Sequence, residues 1–306
     1  MRVLITGATG TIGLAVADAL SARGDSVVAL SRDPERGQRV LGEGVEVHAW
    51  AKPETTPPPA AAVSGADAVV NLLGEPVAQR WSDAAKTRIR ESRVHSTRML
   101  VGALMALPQD QRPGALISQS ATGYYGPRGD APLDESASPG DDFLAGVTMA
   151  WEGEATSASS SVRVVCTRTG VVLSPGGGAL AKMLPFFKLG IGGPVAGGQQ
   201  YVPWIHLDDV VGGLLHCLDH DDASGPLNLT APHPVTNAEL SRALGHVLGR
   251  PAVLPVPGAA VRLLYGEMAE MVTTGQRAIP VKLGQLGYTF RHPELEAALT
   301  AVLKGQ

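Results

Sequence analysis

Three glycines near the start of the chain constrain its fold more than any other feature. The apolar run Val3-Leu4-Ile5 precedes Gly7, Gly10 and Gly13, which open a segment whose apolar residues recur with helical spacing. A second apolar run, residues 27–30, follows that segment. A strand, a G-x-x-G-x-x-G turn, a helix and a second strand together make the unit that binds the phosphates of a dinucleotide. The opening therefore predicts an α/β protein of the Rossmann type.

Each glycine has its own physical task in such a turn. Gly7 suits the positive φ of a tight strand-to-helix turn, Gly10 leaves the backbone open to a pyrophosphate, and Gly13 allows close helix–strand packing. The free N–H groups and the positive dipole end of the helix then face the phosphates. The alternative is a glycine-rich turn in an α/β protein that binds no nucleotide.

The end of the second strand indicates which nicotinamide cofactor is bound. An acidic residue there usually binds the ribose 2′-hydroxyl of NAD, whereas a basic residue suits the 2′-phosphate of NADP. This chain has Ser31 and Arg32 at that point, with Arg36 nearby. Asp33 precedes Pro34, a pair typical of a helix N-cap and first helical position. We therefore predict a 2′-phosphate pocket and NADP(H) as the cofactor; the alternative is an ordinary solvated arginine.

Composition excludes several classes of partner. A net charge of −4 over 306 residues gives no general attraction to nucleic acid or to anionic membranes. Two cysteines make no disulfide framework, and the N-terminal apolar run is too interrupted for a signal peptide. We expect a cytoplasmic monomer or homodimer that acts on a small molecule.

Strand-like and helix-like segments alternate through the first half of the chain, as in a doubly wound parallel sheet. We assign residues 1–170 to an NADP(H)-binding Rossmann domain, to which residues 200–220 return. Residues 171–306 are richer in loops and are assigned to a smaller C-terminal α/β lobe that shapes the substrate pocket.

Motifs along the whole chain resemble one superfamily, the extended short-chain dehydrogenases/reductases. They include Asn71-Leu72-Leu73-Gly74-Glu75-Pro76, Ser118-Gln119-Ser120-Ala121 and Trp204-Ile205-His206-Leu207-Asp208-Asp209-Val210. Together with Arg80-Trp81, Trp151-Glu152 and Gly176-Gly177-Gly178, they are most similar to the atypical subgroup called epimerase family proteins. Members of that subgroup bind NADP(H), and their reaction is generally unassigned.

The resemblance implies a set of cofactor contacts. Ser31 and Arg32 would hold the 2′-phosphate, Leu72, Leu73 and Gly74 would line the adenine and ribose side, and Glu75 lies in the same stretch. Arg93 and Val172 would lie near the far half of the cofactor. The phosphate contacts would be Gly7, Thr9, Gly10, Thr11, Ile12 and Gly13. For Leu72 and Leu73, plain core packing is an equal alternative.

The catalytic pattern of the superfamily is incomplete here. Its enzymes use Tyr-x-x-x-Lys with an upstream serine, the tyrosine exchanging a proton with the substrate oxygen. None of the five tyrosines has a lysine four residues on, and residues 142–152 contain neither residue type. Ser120 matches the serine, and Tyr124 and Tyr125 on the next loop are the candidate proton donors; the alternative is that they only shape the pocket.

Other catalytic arrangements find less support. His206 is interpreted as structural, with Asp208 or Asp209 capping the helix that follows. The histidines and cysteines show no metal-ligand spacing, so no metal site is predicted.

Three functions stay open on this basis. The first is an NADP(H)-dependent oxidoreductase acting on a carbonyl or conjugated small molecule. The second is a nucleotide-sugar epimerase or dehydratase, and the third is a non-catalytic NADP(H) sensor.

Overall fold

The computed structural model describes residues 1–304, in which strands and helices alternate along most of the chain. The strands are β1 (Arg2–Thr6), β2 (Ser26–Ser31), β3 (Val45–Ala49), β4 (Ala68–Asn71), β5 (Ala115–Ala121), β6 (Pro132–Leu133), β7 (Arg163–Thr169), β8 (Val171–Leu173), β9 (Tyr201–Val202), β10 (Trp204–His206), β11 (Gly225–Leu229), β12 (Val235–Thr236) and β13 (Arg277–Ala278). The helices are α1 (Thr11–Ala22), α2 (Pro34–Leu41), α3 (Ala60–Val63), α4 (Asp83–Ala106), α5 (Phe143–Thr156), α6 (Gly178–Lys188), α7 (Leu207–Asp219), α8 (Asn237–Leu248), α9 (Gly258–Tyr265), α10 (Glu270–Thr273), α11 (Val281–Gln285) and α12 (Leu295–Lys304).

Seven strands form a parallel central sheet in the order β11-β7-β5-β4-β1-β2-β3. The order reverses between β1 and β4, and ligands of open α/β sheets bind at such a point, beyond the carboxyl ends of the strands. Buried aliphatic side chains pack on both faces of the sheet. The predicted α/β class and doubly wound parallel sheet are confirmed.

The edge strand β11 was missed by the sequence prediction. Its sequence Gly-Pro-Leu-Asn-Leu contains Pro226, which cannot donate to a ladder hydrogen bond. Because β11 pairs only with β7 in this sheet, a proline is tolerated there. The chain therefore returns to the central sheet beyond residues 200–220, after α7 has packed beside α1.

The remaining segments of the second half form a smaller lobe. Three two-stranded pairs, β8 with β10, β9 with β12 and β6 with β13, lie outside the central sheet. A separate apolar core, which includes Phe187, Trp204 and Leu244, holds α6, α8 and α12 together. Gly266, whose φ is +63°, ends α9 and separates it from the short helix α10. Within the described part of the chain, no helix is both long and apolar enough to cross a membrane.

Candidate cofactor and substrate site

Two of the three glycines in the turn, Gly7 and Gly13, are required by the fold, whereas Gly10 is not. Gly7 has a φ of +67°, and a Cβ there would lie 2.8 Å from the Leu72 carbonyl oxygen. A Cβ on Gly13 would lie 2.3 Å from the Gly7 oxygen. Gly10 is exposed, and a Cβ there would meet only the Gly7 oxygen at 3.3 Å. The open backbone at Gly10 therefore fits a group that approaches from outside, as a pyrophosphate does.

Helix α1 presents unsatisfied N–H groups beside this opening. Gly10 is its N-cap, without a capping side chain, and the first helical bond runs from the Leu14 N–H to the Gly10 oxygen at 2.8 Å. The N–H groups of Thr11, Ile12 and Gly13 precede that bond. No acidic residue lies in the first turn, so no carboxylate of the helix offsets its positive end.

A buried hydroxyl fixes the loop after β4 against the turn. Thr6 Oγ1 donates to Asn71 Oδ1 at 2.7 Å and accepts from the N–H groups of Leu72 and Leu73 at 3.1 and 3.2 Å. Leu72 packs on the same apolar cluster as Ile12 and Val172, so these three predicted cofactor residues share one packed region. Leu73 packs on the opposite face of the sheet. Both leucines therefore also have a packing role.

Arg93 supports the next residues of that loop. Its guanidinium lies so close that a Cβ on Gly74 would be 2.9 Å from Arg93 Cζ, and its Nη1 donates to the Glu75 oxygen at 2.9 Å. The guanidinium also lies over the Trp151 ring, at 5.3 Å. Burial lowers the pKa of Arg93 to about 10, against the smaller opposite effect of Glu75. The structure thus gives Arg93 a role in holding the loop.

The proposed 2′-phosphate pocket lies at the end of β2. Asp33 caps α2 by accepting the Arg36 N–H at 3.0 Å, and Pro34 occupies the first helical position, as predicted. The Ser31 hydroxyl bonds to the Asp33 main chain. Arg32 is exposed, and its side chain has no hydrogen bond or ion pair to another described residue. A free guanidinium at this position is suited to a phosphate.

The three predicted catalytic residues belong to a buried polar network. Ser120 is 1% exposed and donates through Oγ to Glu152 Oε1 at 2.6 Å. Glu152 accepts two further bonds of 2.9 Å from Nε and Nη2 of Arg168. Burial by itself lowers the pKa of Arg168, but the hydrogen bond and charge of Glu152 outweigh it, so that pKa lies above its ordinary value.

Both tyrosines are held by the same arginine. Tyr125 is fully buried; its hydroxyl donates to Asn228 Oδ1 at 2.7 Å and accepts from Arg168 Nη1 at 3.1 Å. Burial raises the pKa of Tyr125 to about 12. The Tyr124 ring lies 3.4 Å from the Arg168 guanidinium carbon. This geometry favours a structural role for Ser120, Tyr124 and Tyr125, which do not line the neighbouring cavity.

That cavity has a volume of about 340 Å³ and lies between the carboxyl edge of the sheet and the C-terminal lobe. Thr122 and Gly123, directly after β5, and Val171, at the start of β8, form its wall on the sheet side. Tyr201, in β9, lines it from the lobe. Residues that sequence reasoning did not single out therefore line the cavity, because segments far apart in the chain meet there. The other wall residues include Trp81, Asp142, Phe143, Leu144, Met183, Gln200, Asn237, Glu267, Glu270 and Gln276.

A loop of the lobe connects the cavity with the glycine turn. A Cβ on Gly177 would lie 2.9 Å from Thr11 Oγ1, so residues 174–178 lie directly against the start of α1. Ala179, in the first turn of α6, lines the cavity. The residues from Gly177 to Ala179 therefore join the start of α1 to the cavity, and they would lie beside a dinucleotide held by both.

Two histidines that lie far apart in the sequence meet in the fold. Ligand atoms of His206, Asp208 and His292 lie within 4.8 Å of one another, because the segment before α12 folds back onto α7. The buried Asp209 carboxylate accepts the N–H groups of Arg291 and His292, which holds that segment in place. His206 Nδ1 accepts the Asp208 N–H at 3.0 Å, so His206, and not an aspartate, caps α7.

His206 makes the stability of the protein depend on pH. Burial and the neighbouring His292 lower its pKa below 6.5, against the opposite effects of Asp208 and Asp209. The unfolded chain binds this proton more readily, so the free energy of unfolding falls as pH drops through about 6.5. His206→Asn keeps a side-chain acceptor at the cap but does not titrate. We expect the melting temperature of this variant to fall less than that of the wild type when the pH is lowered from about 7.5 to about 5.5. Equal losses in thermal melts of the two proteins would contradict this.

Comparisons with known proteins identify the family of the chain. The family model described as NAD dependent epimerase/dehydratase family matches residues 3–229, and the domain of unknown function DUF1731 matches residues 256–302. Epimerase family protein Mb2239 of Mycobacterium bovis is 42% identical over 97% of this chain and 96% of that protein. The Arabidopsis thaliana protein named "Epimerase family protein SDR39U1 homolog, chloroplastic" is 39% identical, over 99% and 87%.

Comparison with solved structures identifies the same family. The crystal structure of human epimerase family protein SDR39U1 (isoform 2) with NADPH has a TM-score of 0.89, at 38% identity over 100% of both chains. MoeE5 in complex with UDP-glucose and NAD has a TM-score of 0.80 over 99% of this chain and 98% of that chain, but at 20% identity it shares only the fold. The resemblance to epimerase family proteins is confirmed: the chain belongs to the NAD dependent epimerase/dehydratase family.

Proposed function

We propose that this protein binds NADPH and reduces a small carbonyl or conjugated molecule. The observation that carries the cofactor assignment is the pairing of an open glycine turn at Gly10 with an unpaired, exposed Arg32. NADPH in the crystal structure of human SDR39U1 supports the same choice. NADPH supplies a hydride when bound. The residues that would hold it are those of the glycine turn, Ser31, Arg32 and the loop after β4.

Residues that line the cavity could bind and orient the oxygen of a substrate carbonyl group. The hydroxyl-bearing residues Thr122 and Tyr201 both line it, on opposite walls. Their hydroxyls are hydrogen-bond donors for a carbonyl oxygen, and one of them would pass it a proton. Trp81 and Phe143, in edge contact at 5.2 Å, add apolar surface to the wall of the cavity. The Glu152–Arg168 pair fixes the end of β5, and with it the backbone that leads to Thr122.

A second candidate, a non-catalytic NADPH sensor, is favoured by one observation. Glu152 and Arg168 form a closed ion pair beside Ser120, where the superfamily's Tyr and Lys would be expected to work. Epimerisation or dehydration of a sugar finds less support, because such chemistry needs a strong base and Tyr125 is buried with its pKa raised.

Turnover separates these candidates. We would follow the near-ultraviolet absorbance of NADPH while neutral aldehydes and enones are added to the full-length protein. Hydride transfer predicts NADPH oxidation that falls at least about tenfold in Thr122→Val or Tyr201→Phe, with NADPH affinity unchanged. Binding of NADPH without oxidation by any compound would contradict the reductase and favour the sensor.

Arg32→Ala gives a separate test of the cofactor assignment. A charge-assisted contact to phosphate contributes about 1.5–3 kcal/mol, so NADPH affinity should fall roughly 10- to 100-fold. NADH affinity should hardly change, since NADH has no 2′-phosphate. Arg39→Ala, on the exposed face of α2, is the matched control. Fluorescence titration measures both affinities, and an equal loss for the two cofactors would refute the pocket.

We also propose that the protein works in the cytoplasm, as a monomer or homodimer, on a small molecule and not on nucleic acid or a membrane. One relative, from Arabidopsis thaliana, is named as chloroplastic, so the cytoplasmic location of this protein needs its own test. Fluorescent tagging of the full chain in its own cells tests the location.

A further inference from the structure

The walls of the cavity carry charge of one sign. Asp142, Glu267 and Glu270 line it, whereas no lysine, arginine or histidine is among the lining residues of the described chain. Resting on the proposed function, we propose that the substrate is an uncharged or cationic molecule with an aromatic or apolar body, and that nucleoside-diphosphate sugars are excluded. The proposal thus names a substrate class that differs from the UDP-glucose bound by MoeE5.

The partners of the three carboxylates determine how much negative charge the cavity keeps. Glu267 pairs with Lys86. Asp142 caps α5 by accepting the Ala145 N–H at 2.9 Å, so the positive end of that helix offsets part of its charge. Neither Asp142 nor Glu270 has an ion-pair partner among residues 1–304. Two carboxylates therefore lack a neutralising cation at the walls of the cavity.

Two cations lie beside residues of the cavity wall, one of them paired with a carboxylate and the other without such a partner in the described chain. The Lys86 ammonium is bonded to Glu267 and lies 5.4 Å from the centre of the Phe143 ring. The Arg277 guanidinium lies over the Tyr201 ring, 5.1 Å from its centre, and donates to the Asp130 oxygen at 3.4 Å. Neither cation is among the residues that line the cavity.

Aromatic and apolar surface makes up much of the remaining wall. Trp81, Phe143 and Tyr201 offer ring faces and edges, and Leu144 and Met183 add aliphatic surface. Rings of this kind stack on aromatic substrates and attract cations through their faces. The amides of Gln200 and Gln276 supply polar contacts that carry no charge.

A diphosphate is poorly matched to such a cavity. Proteins bind phosphates with arginine forks, lysines or helix N-termini, and these groups offset the cost of removing a dianion from water. Here a diphosphate would face Glu270, which has no ion-pair partner in the described part of the chain, and no lysine or arginine among the lining residues, and like charges brought together oppose binding. A neutral or cationic ring meets no such opposition.

The test uses three benzaldehydes that share one ring and differ in charge, together with UDP-glucose as a diphosphate probe. We would measure binding of 4-carboxybenzaldehyde, 4-methoxybenzaldehyde, 4-(trimethylammonio)benzaldehyde and UDP-glucose by calorimetry, to the full-length protein saturated with NADP+, which has no hydride to donate. We expect the neutral and cationic probes to bind at least about tenfold more tightly than the carboxylate, and UDP-glucose not to bind. Equal or tighter binding of either anionic probe, or no binding of the neutral and cationic probes, overturns the proposal.

Variants identify the responsible carboxylate. Glu270→Gln should narrow the preference for the cationic over the anionic probe by at least about threefold, because it removes an exposed unpaired charge. Asp110→Asn, an equally exposed change at the opposite edge of the sheet, should leave the preference unchanged. An unchanged preference in Glu270→Gln overturns the role of that residue. Because calorimetry with NADP+ reports binding without turnover, the charge preference can fail while NADPH oxidation is observed in the separate turnover assay. The reverse outcome is equally distinguishable.

Discussion

Replacing Gly10 with valine is expected to weaken NADPH binding by at least about 100-fold while leaving the fold intact. Gly10 has φ −80° and ψ 168°, a backbone conformation that valine also adopts, and its added Cβ would lie 3.3 Å from the Gly7 oxygen, a contact that a shift of a few tenths of an ångström relieves. The bulk would lie where the phosphates meet the start of α1. Several charge-assisted bonds to N–H groups would be lost together. Fluorescence titration with NADPH and a thermal melt measure the two quantities.

A matched control separates the loss of a ligand contact from a general effect of valine. Gly44 is likewise exposed and has no positive φ, a Cβ there would meet nothing within 4 Å, and it lies in the loop before β3, away from the turn. Gly44→Val should bind NADPH like the wild type. Tight NADPH binding by Gly10→Val with an unchanged melting temperature would mean that the phosphates do not rest on this turn.

The second large effect concerns the buried ion pair. Arg168→Met should lower the free energy of unfolding by about 3 kcal/mol or more, because it strands a carboxylate that is largely removed from water. The Glu152 side chain is only 13% exposed, and Arg168 is 3% exposed. The Tyr125 hydroxyl would also lose one of its two partners. Chemical denaturation of the purified protein measures the change.

Two further variants test the cause of that loss. Adding Glu152→Gln to Arg168→Met should recover part of the stability, since the stranded charge is removed. Arg98→Met breaks a neighbouring ion pair to Glu154 at the surface and should change stability little. If Arg168→Met costs no more than Arg98→Met, the buried network does not hold the end of β5.

Local patterns in the sequence were sufficient to predict much of the structure around the glycine turn and the end of β2. The spacing of Gly7, Gly10 and Gly13 and the Asp33-Pro34 pair each encode a short-range structure, a turn or a cap, and both are present. Pro226 concealed the edge strand β11, because propensity alone argues against a strand containing proline.

The region around Ser120 and the cavity could not be predicted in the same way, because its structure depends on the register of the strands and on the position of the C-terminal lobe. Ser120 and Arg168 are partners across β5 and β7, a pairing that no local pattern reveals. That pairing turns Ser120 toward Glu152 and places Tyr124 on the guanidinium. Tyr201 and Glu270 reach the cavity only through the folding of distant segments, so no spacing in the sequence marks them.

A titration of the wild-type protein with NADPH and NADH tests the central claim most directly. The exposed Arg32 and the open turn at Gly10 together predict that NADPH binds, and binds at least about tenfold more tightly than NADH. NADH binding as tightly as NADPH, or no binding of either cofactor, would contradict the assignment of this site.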